Sequence, residues 1–85
     1  MYLGGFMTNK DVNIYYIIGQ NIKKYRKKAG YTQRSLSEAL LLSESFIAKL
    51  ESKTYQTISI DTLQQIADLL GVDIICFFDR CVLDK

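Results

Sequence analysis

Apolar residues recur at helical spacing through the first third of the chain, with polar residues between them. They place one apolar face along a predicted first helix that starts at Asn9 or Asp11. Gly30 suits the left-handed position just past the end of that helix. The face is formed by Val12, Tyr15, Ile18, Ile22, Tyr25 and Ala29. Residues 1–10 show no such period and contain two adjacent glycines, so we expect a flexible N-terminal arm there.

Two short amphipathic stretches follow, and each is preceded by a hydroxyl residue suited to a helix N-cap. Thr32 opens the second predicted helix and Ser43 opens the third. The apolar positions are Leu36 and Leu40 in one, and Ile47 and Leu50 in the other. The third helix leaves Glu44, Ser45, Ala48 and Lys49 on its outer face. Ser37 is small enough for the two helices to cross closely, so the pair matches a helix-turn-helix, whose second helix enters the major groove of DNA.

Two further helices are predicted in the second half of the chain. Ser59 caps the fourth, and Gly71 closes it. Its core stripe consists of Leu63, Ile66, Ala67 and Leu70. Asp73 caps a fifth helix, which runs to about Val82. No strand-like alternation competes with these helices, and the chain has no proline. We therefore predict an all-α fold, with one compact five-helix domain over residues 11–85.

Length and composition agree with a small folded domain. Hydrophobic residues make up 48% of the 85 residues and aromatic residues 12%, which argues against disorder. No apolar run approaches the roughly 18 residues of a membrane span, and no secretory signal pattern is present. We therefore expect a cytoplasmic protein that does not insert into membranes.

The chain has no histidine and only two cysteines, Cys76 and Cys81. Two thiols make a poor zinc site within one subunit, because such sites usually collect four ligands. In a cytoplasmic protein we interpret them as reduced thiols, with a redox or intersubunit role as the alternative. No cysteine or serine stands beside an evident base, so no nucleophile or general acid is found. We therefore predict no metal, no cofactor and no enzymatic activity.

Charge is divided unevenly along the chain. Residues 17–35 carry six basic residues and no acid, whereas residues 36–85 carry eight acids and four bases. The basic residues of the first segment are Lys23, Lys24, Arg26, Lys27, Lys28 and Arg34. Such segregation suits attraction to the phosphates of DNA. For Lys24, Lys27 and Lys28, a solvated helix face explains the charge equally well.

The order and spacing of these residues resemble one family. The shared pattern is Ile18-Gly19, Ile22, Tyr25-Arg26, Gly30-Tyr31-Thr32-Gln33, Leu36, Ala39, Leu42-Ser43, Ile47, Leu50-Glu51, Leu63, Ile66-Ala67 and Leu70-Gly71-Val72. From Ile18 to Phe78 the chain resembles the Xre/Cro family of phage and bacterial repressors. The resemblance implies a lambda-repressor-like fold and binding to double-stranded operator DNA.

The resemblance also assigns base reading to the exposed half of the third helix. The residues there are Glu44, Ser45, Phe46 and Lys49, with Ala48 alongside. Lys49 can donate to guanine, Glu44 can accept from cytosine, and Ser45 can do either. Phe46 could meet a thymine methyl group, and burial against the following loop is its alternative. For Glu44 the alternative is stabilisation of the helix N-terminus through the dipole.

Other positions are expected to contact phosphates or to brace the helices. The phosphate contacts are Gln33, Arg34, Lys53, Thr54 and Tyr55. Gln33 begins the second helix, where backbone N–H groups favour an anion, and in the family it also braces the third helix. The resemblance pairs Arg26 with Glu51 as a structural brace between helices.

Two features depart from the family pattern. Leu41 stands where the corner between the second and third helices usually has a glycine with positive φ, which costs another residue roughly 1–2 kcal/mol. The run from Ile74 to Phe78 is apolar almost all round, so a second copy is its simplest cover. We therefore expect a homodimer that reads two half-sites about 34 Å apart. The expected interface residues are Ile75, Phe77 and Phe78.

These observations favour a sequence-specific transcriptional regulator, a dimeric repressor that reads a palindromic operator through the third helix. An antitoxin or a restriction–modification controller would share the fold, and the sequence does not separate them. A helical protein-interaction module without DNA binding is the alternative from another class. The modest net charge of +2 and Glu44 support that alternative, whereas Gln33, Lys49 and the basic first helix oppose it.

Overall fold

The computed structural model describes residues 12–84, which contain four α-helices, two short 3₁₀ helices and no strand. The α-helices are α1 (Ile14–Lys28), α2 (Gln33–Leu40), α3 (Glu44–Leu50) and α4 (Ile60–Leu70). The 3₁₀ helices are Ile74–Phe78 and Arg80–Asp84, and together we call them the C-terminal segment. The predicted all-α class is confirmed. The expected arm, residues 1–10, lies outside the described residues. Within residues 12–84, none of the helices has the length and apolar character needed to cross a membrane.

Helix α1 starts later than the sequence indicated. Asn13 is its N-cap, and the Asn13 Oδ1 accepts a hydrogen bond from the Tyr15 N–H at 2.7 Å. The predicted start at Asn9 or Asp11 is therefore wrong. Val12 precedes the helix, so it does not extend the apolar face of α1. The sequence has capping side chains at Asn9, Asp11 and Asn13, and of these Asn13 caps the helix.

The remaining caps lie where local side-chain chemistry predicts them. Thr32, Ser43 and Ser59 each accept a hydrogen bond through the side-chain oxygen from the N–H three residues later, at 2.9–3.1 Å. Gly30 and Gly71 follow α1 and α4 with φ values of 86° and 73°. Each of these bonds satisfies a backbone group that the end of a helix would leave unpaired. The predicted end of α1, the predicted starts of α2, α3 and α4, and the predicted end of α4 are thereby confirmed.

The corner between α2 and α3 has the left-handed backbone expected from the family pattern. Leu41 follows α2 with φ 58° and ψ 38°, and its side chain is 92% exposed. The Leu41 N–H donates to the Glu38 carbonyl oxygen at 3.3 Å. The next N–H, that of Leu42, donates to the Ser37 carbonyl oxygen at 2.9 Å. The corner is therefore closed by backbone hydrogen bonds even though its central residue is not glycine.

The core lies where the apolar faces of the four α-helices meet. Its fully buried members include Ile22, Leu36, Ile47, Leu63 and Phe77. Helix α1 approaches the end of α3 so closely that a Cβ at Gly19 would overlap the carbonyl oxygen of Leu50. The neighbouring Gln20 donates through Nε2 to the Glu51 carbonyl oxygen at 3.0 Å. This contact fixes the C-terminal end of α3 against α1.

The C-terminal segment replaces the predicted fifth α-helix. Asp79 has an extended backbone (φ −75°, ψ 116°) and separates the two 3₁₀ helices. A continuous helix to about Val82, and with it the count of five α-helices, is therefore wrong. Asp73 caps the segment as predicted, because its carboxylate accepts from the Ile75 N–H at 3.0 Å.

The apolar residues of the segment are divided between a buried side and an exposed side. Residues i and i+3 share one face in such a helix. Ile74 and Phe77 accordingly face the core, and Phe77 is fully buried. Ile75 and Phe78 lie on the outer side, with exposures of 68% and 36%. The assignment of Phe77 to a dimer interface is therefore corrected, because a side chain enclosed within the domain offers no surface to a second copy.

Candidate nucleic-acid interface

Most of the α3 side chains that are expected to read bases lie at the protein surface. Glu44, Ser45 and Lys49 are exposed, and Ala48 is half-buried. Within residues 12–84, neither the Glu44 carboxylate nor the Lys49 ammonium group makes a hydrogen bond or an ion pair. One charged acceptor and one charged donor are therefore available on the same short helix.

Phe46 differs from its neighbours on α3. Its ring is half-buried and packs against the hydrophobic core. The expected alternative is burial against the following loop. Its N–H donates to the Ser43 hydroxyl at 3.1 Å, and that hydroxyl lies 3.4 Å from the Ser45 hydroxyl. Ser45 therefore lies next to the cap of α3. Glu44 lies in the first turn, where the helix dipole also favours a carboxylate.

A buried network holds the end of α3 in place. The Arg26 Nε and Nη2 atoms donate to the two carboxylate oxygens of Glu51 at 2.8 and 2.9 Å. Arg26 Nη1 donates to the Tyr31 carbonyl oxygen at 2.8 Å, and Gln33 Nε2 donates to Glu51 Oε1 at 3.0 Å. Both side chains of the ion pair are almost fully shielded from solvent. The expected pairing is therefore present, and it ties α1 and the start of α2 to the end of α3.

The candidate phosphate contacts at the start of α2 have different surroundings. Gln33 is half-buried, and one of its side-chain hydrogens is used by the Glu51 brace. Arg34 is exposed, and its Nε lies 3.3 Å from Glu38 Oε2 in an ion pair open to solvent on both sides. Such exposed pairs contribute little to stability, so the Arg34 guanidinium can exchange this partner for a phosphate.

Hydroxyl groups order the loop after α3. The Ser52 Oγ donates to the Lys49 carbonyl oxygen at 2.9 Å and accepts from the Thr54 N–H at 3.2 Å. The Tyr55 N–H closes a turn onto the Ser52 carbonyl oxygen at 3.1 Å, and Tyr55 has a φ of 41°. Lys53 and Thr54 are left exposed. Sequence reasoning missed Ser52, although a serine two residues before a threonine in a polar loop is typical of a hydroxyl-stabilised turn.

Two lysines of α1 lie near the ring of Tyr25. Lys24 Nζ and Lys28 Nζ lie 5.2 and 5.7 Å from the centroid of the Tyr25 ring, within the range of a cation–π interaction. That ring meets Phe77 edge-on, with centroids 6.2 Å apart. Burial raises the pKa of Tyr25, and the neighbouring Cys76 thiol raises it further. The position of Lys24 and Lys28 therefore favours a structural role for them over a contact with DNA.

Comparison with known proteins places this geometry in a family. A family model described as helix-turn-helix matches residues 22–75, which is more than half of the chain. The chain belongs to the helix-turn-helix family. The matched range contains α2, α3 and both partners of the Arg26–Glu51 brace. The resemblance to Xre-type regulators drawn from the sequence is confirmed by this match and by the relatives.

Two groups of helix-turn-helix relatives are similar to the chain in sequence. The HTH-type transcriptional regulator SinR of Bacillus subtilis (strain 168) is 32% identical over 64 residues, which cover 75% of this chain and 58% of SinR. The immunity repressor protein of Bacillus phage phi105 is 39% identical over 57 residues, which cover 67% of this chain and 39% of the repressor. The chain thus spans about half the length of the curated relatives that it matches.

Solved helix-turn-helix structures agree with the fold. The crystal structure of SinR, described as the master regulator for biofilm formation and solved in complex with DNA, matches with a TM-score of 0.67 and 32% identity over 73% of this chain and 98% of that one. The N-terminal DNA-binding domain of SinR from Bacillus subtilis matches with a TM-score of 0.68 and 31% identity, covering 76% and 94%. A hypothetical transcription factor from Neisseria, NHTF, has a TM-score of 0.72 and 17% identity over 92% and 87%, and this likeness concerns the fold alone.

Proposed function

We propose that this protein is a sequence-specific DNA-binding transcriptional regulator, and that it represses by covering a palindromic operator as a homodimer. The proposal rests chiefly on α3, which is braced by a buried ion pair and presents the unpaired Glu44 and Lys49 beside Ser45. The relatives support it, because SinR and the phage protein are described as a transcriptional regulator and an immunity repressor. SinR has also been crystallised with DNA.

We assign base readout to the exposed face of α3. Lys49 donates to guanine O6 and N7, Glu44 accepts from a cytosine amino group, and Ser45 does either. Discrimination between bases requires that these side chains keep a fixed position relative to the groove, and the Arg26–Glu51 brace supplies that rigidity. Phe46, which is half-buried, lies alongside these residues.

We assign phosphate contacts to the two sides of α3. The residues are Gln33 and Arg34 at the start of α2, and Lys53, Thr54 and Tyr55 in the loop that Ser52 orders. Contacts of this kind hold the protein in register on the duplex but carry no sequence information. They also make binding depend on salt, because each neutralised phosphate releases counterions.

We assign the dimer contact to Ile75 and Phe78. These two large apolar side chains are exposed on the C-terminal segment, and exposed apolar surface of this kind usually marks an interface. A twofold contact needs only one self-complementary patch per subunit. Two linked copies then bind a palindrome much more tightly than either copy binds one half-site.

Gel shifts with genomic fragments from the region of its own gene test the proposal. We expect one fragment to bind in preference to an unrelated duplex of equal length, with an affinity that falls as salt increases. Lys28→Ala is a matched control, because Lys28 lies over Tyr25 and should bind DNA like the wild type. Equal binding to all fragments would contradict sequence-specific regulation. No binding at low salt would favour a protein-interaction module instead.

A further inference from the structure

Lys23 and Lys27 are basic residues of α1 without a structural partner in the described part of the chain. Lys27 is exposed and Lys23 is half-buried. Within residues 12–84, neither ammonium group makes a hydrogen bond, an ion pair or a contact with an aromatic ring. In this they differ from Lys24 and Lys28, which lie over the Tyr25 ring. Two cations of one helix are thus available to an external anion.

Three contacts show which side of α1 faces the end of α3. A Cβ at Gly19 would overlap the Leu50 carbonyl oxygen. Gln20 Nε2 donates to the Glu51 carbonyl oxygen at 3.0 Å, and the Arg26 guanidinium pairs with the Glu51 carboxylate. Successive residues of an α-helix are turned by about 100°, so Gly19, Gln20 and Arg26 occupy one arc of about 120°. That arc is the side of α1 next to the end of α3.

Lys23 and Lys27 both fall inside this arc. At about 100° per residue, Lys23 lies about 60° from Arg26 and from Gln20. Lys27 lies about 20° from Gln20. The three residues Gln20, Lys23 and Lys27 also have the i, i+3, i+7 spacing of a single helix face. We call Lys23 and Lys27 the basic stripe.

The basic stripe adjoins both segments to which we assign phosphate contacts. The loop 52–55 begins directly after Glu51, which the same arc of α1 contacts. At the other end, the Lys27 carbonyl oxygen accepts from the Gly30 N–H at 3.1 Å, in the turn that leads to Gln33 at the start of α2. The stripe therefore lies between the loop after α3 and the start of α2.

Charge around the stripe favours an anionic partner. Residues 17–35 contain no acid, and Glu51, the acid that this arc contacts, is already paired with Arg26. The lysine ammonium group is a compact point charge that suits a phosphate oxygen. Duplex DNA carries one phosphate charge per about 1.7 Å of its axis. A basic surface beside two groups of phosphate contacts would therefore meet further phosphates.

We propose that Lys23 and Lys27 are further DNA-contact residues, which bind backbone phosphates next to those bound by the loop after α3. This inference rests on the proposed function, because it extends the same interface from α3 and its loop onto α1. Such contacts add affinity without reading bases. The lysines of α1 then have two roles, since Lys24 and Lys28 pack on Tyr25 while the basic stripe binds DNA.

The double variant Lys23→Ala, Lys27→Ala tests the inference, and the double variant Lys24→Ala, Lys28→Ala is its matched control. Each removes two positive charges from α1, so the two proteins have the same net charge. Gel shifts over a salt series measure affinity for a duplex selected with the wild type and for an unrelated duplex of equal length. Circular dichroism and urea denaturation check folding. The variant Lys23→Arg, Lys27→Arg keeps both charges.

We expect the basic-stripe variant to bind both duplexes more weakly by a similar factor, about tenfold or more at 0.1 M salt. Its plot of log affinity against log salt should be flatter by about two units, because two fewer phosphates are neutralised. The control variant and the arginine variant should keep the wild-type slope. The ratio of the two affinities should stay as in the wild type.

Other results would overturn the inference and leave the proposed function intact. Equal losses in the two alanine variants would mean that charge on α1 acts at a distance rather than by contact. Wild-type affinity and slope in the basic-stripe variant would mean that these lysines do not bind DNA. A loss confined to the selected duplex would mean that they read bases.

Failure of the proposed function has a different outcome. A wild type that binds no duplex at low salt would sink both proposals. A wild type that binds all duplexes alike would overturn sequence-specific regulation, while a flatter slope in the basic-stripe variant would still support the phosphate contacts. If the basic-stripe variant does not fold, Lys27→Ala takes its place with Lys28→Ala as control, and the expected change in slope is about one unit. Loss of folding in Lys27→Ala as well would show a structural role and would overturn the inference.

Discussion

Leu41 combines a left-handed backbone with an almost fully exposed apolar side chain. For an L-residue with a Cβ, that backbone conformation costs about 1–2 kcal/mol. Because the Leu41 side chain is exposed, hydrophobic burial does not offset this cost. Leu41→Gly should therefore raise the free energy of unfolding by about 1 kcal/mol, after allowance for the larger chain entropy of glycine. Urea denaturation of the two proteins measures the difference.

Ala39→Gly is the matched control for the corner. Ala39 is exposed like Leu41 but lies inside α2. The same replacement by glycine should lower the free energy of unfolding there by about 0.5–1 kcal/mol. Losses of equal size at both positions would contradict the strain at Leu41.

Removing one partner of the buried brace should be far more damaging than these surface changes. Arg26→Met leaves the Glu51 carboxylate buried without its main partner, and should lower the free energy of unfolding by about 3–5 kcal/mol. The double variant Arg26→Met, Glu51→Leu should lose less free energy of unfolding than the two single variants together. It leaves no unpaired buried charge. Equilibrium denaturation of the four proteins in this cycle gives the coupling energy. Additive losses would mean that the two groups do not interact.

Lys49 of α3 and Lys53 of the following loop should contribute to DNA binding in different ways. Lys49 lies on the exposed face of α3, so Lys49→Ala should reduce discrimination at one base pair by about 1–3 kcal/mol. Lys53 lies in the loop, so Lys53→Ala should weaken all sequences about equally and flatten the plot of log affinity against log salt by roughly one unit. Binding selections from randomised duplexes, followed by salt titrations, compare the two variants. An unchanged preferred sequence for Lys49→Ala, or a sequence-selective loss for Lys53→Ala, would reverse these assignments.

The junction between the two 3₁₀ helices should make stability depend on pH. The Cys81 backbone N–H and side chain, with Lys24 nearby, lower the pKa of Asp79 below its ordinary value. A lowered pKa means that the carboxylate stabilises the fold above the pKa of the unfolded chain, and that this stabilisation is lost as pH falls through the lowered value. Asp79→Asn should therefore be less stable than the wild type near neutral pH, and the difference should vanish in acid. Thermal denaturation over a pH series checks this. A constant difference across the series would mean that the carboxylate charge plays no part.

The structure confirms the elements whose signals are local. The caps at Thr32, Ser43, Ser59 and Asp73 were readable because each requires one side chain and a backbone N–H two or three residues away. The core of α2, α3 and α4 followed from apolar spacing alone. The Arg26–Glu51 pair spans 25 residues, and only the family resemblance made it predictable.

The sequence could not predict features that depend on distant backbone groups. The apolar run Ile74–Phe78 is compatible with an α-helix or a 3₁₀ helix. The carbonyl oxygens of Phe77 and Asp79 accept hydrogen bonds from the Asn21 side chain, which is 56 and 58 residues away in the sequence. Asn21 itself interrupts no periodic pattern, so no sequence signal marked it. The start of α1 was missed because Asn9, Asp11 and Asn13 are chemically interchangeable as caps.

Association of two copies should depend on the exposed half of the C-terminal segment. Ile75→Glu places a charge beside Phe78 on the exposed side of the segment, where the proposed homodimer would bury it between subunits, and should give a folded monomer. That monomer should bind a palindromic operator far more weakly than the wild type. Sedimentation and circular dichroism on the same sample separate loss of the dimer from loss of the fold.

Ile60→Glu is the control for this change. Ile60 is 63% exposed, close to the 68% of Ile75, but it lies in the first turn of α4, where a carboxylate is favoured by the helix dipole. The Ile60 variant should stay dimeric. A monomeric wild type at high concentration would refute the dimer, and an unfolded Ile75 variant would place that residue in the core.

The close approach of Gly19 to Leu50 has a consequence for how this sequence can diverge. The separation between α1 and α3 depends on Gly19, whose side chain is a single hydrogen atom. Any larger side chain there would overlap the carbonyl oxygen of Leu50. A descendant can therefore exchange the lysines of α1 for other solvated residues without moving α3. It cannot add even one methyl group at Gly19 without displacing α3, the helix that we propose faces the DNA. Homologous proteins with this fold can therefore change the exposed residues of α3, but they must keep glycine at position 19 for α3 to stay where it is.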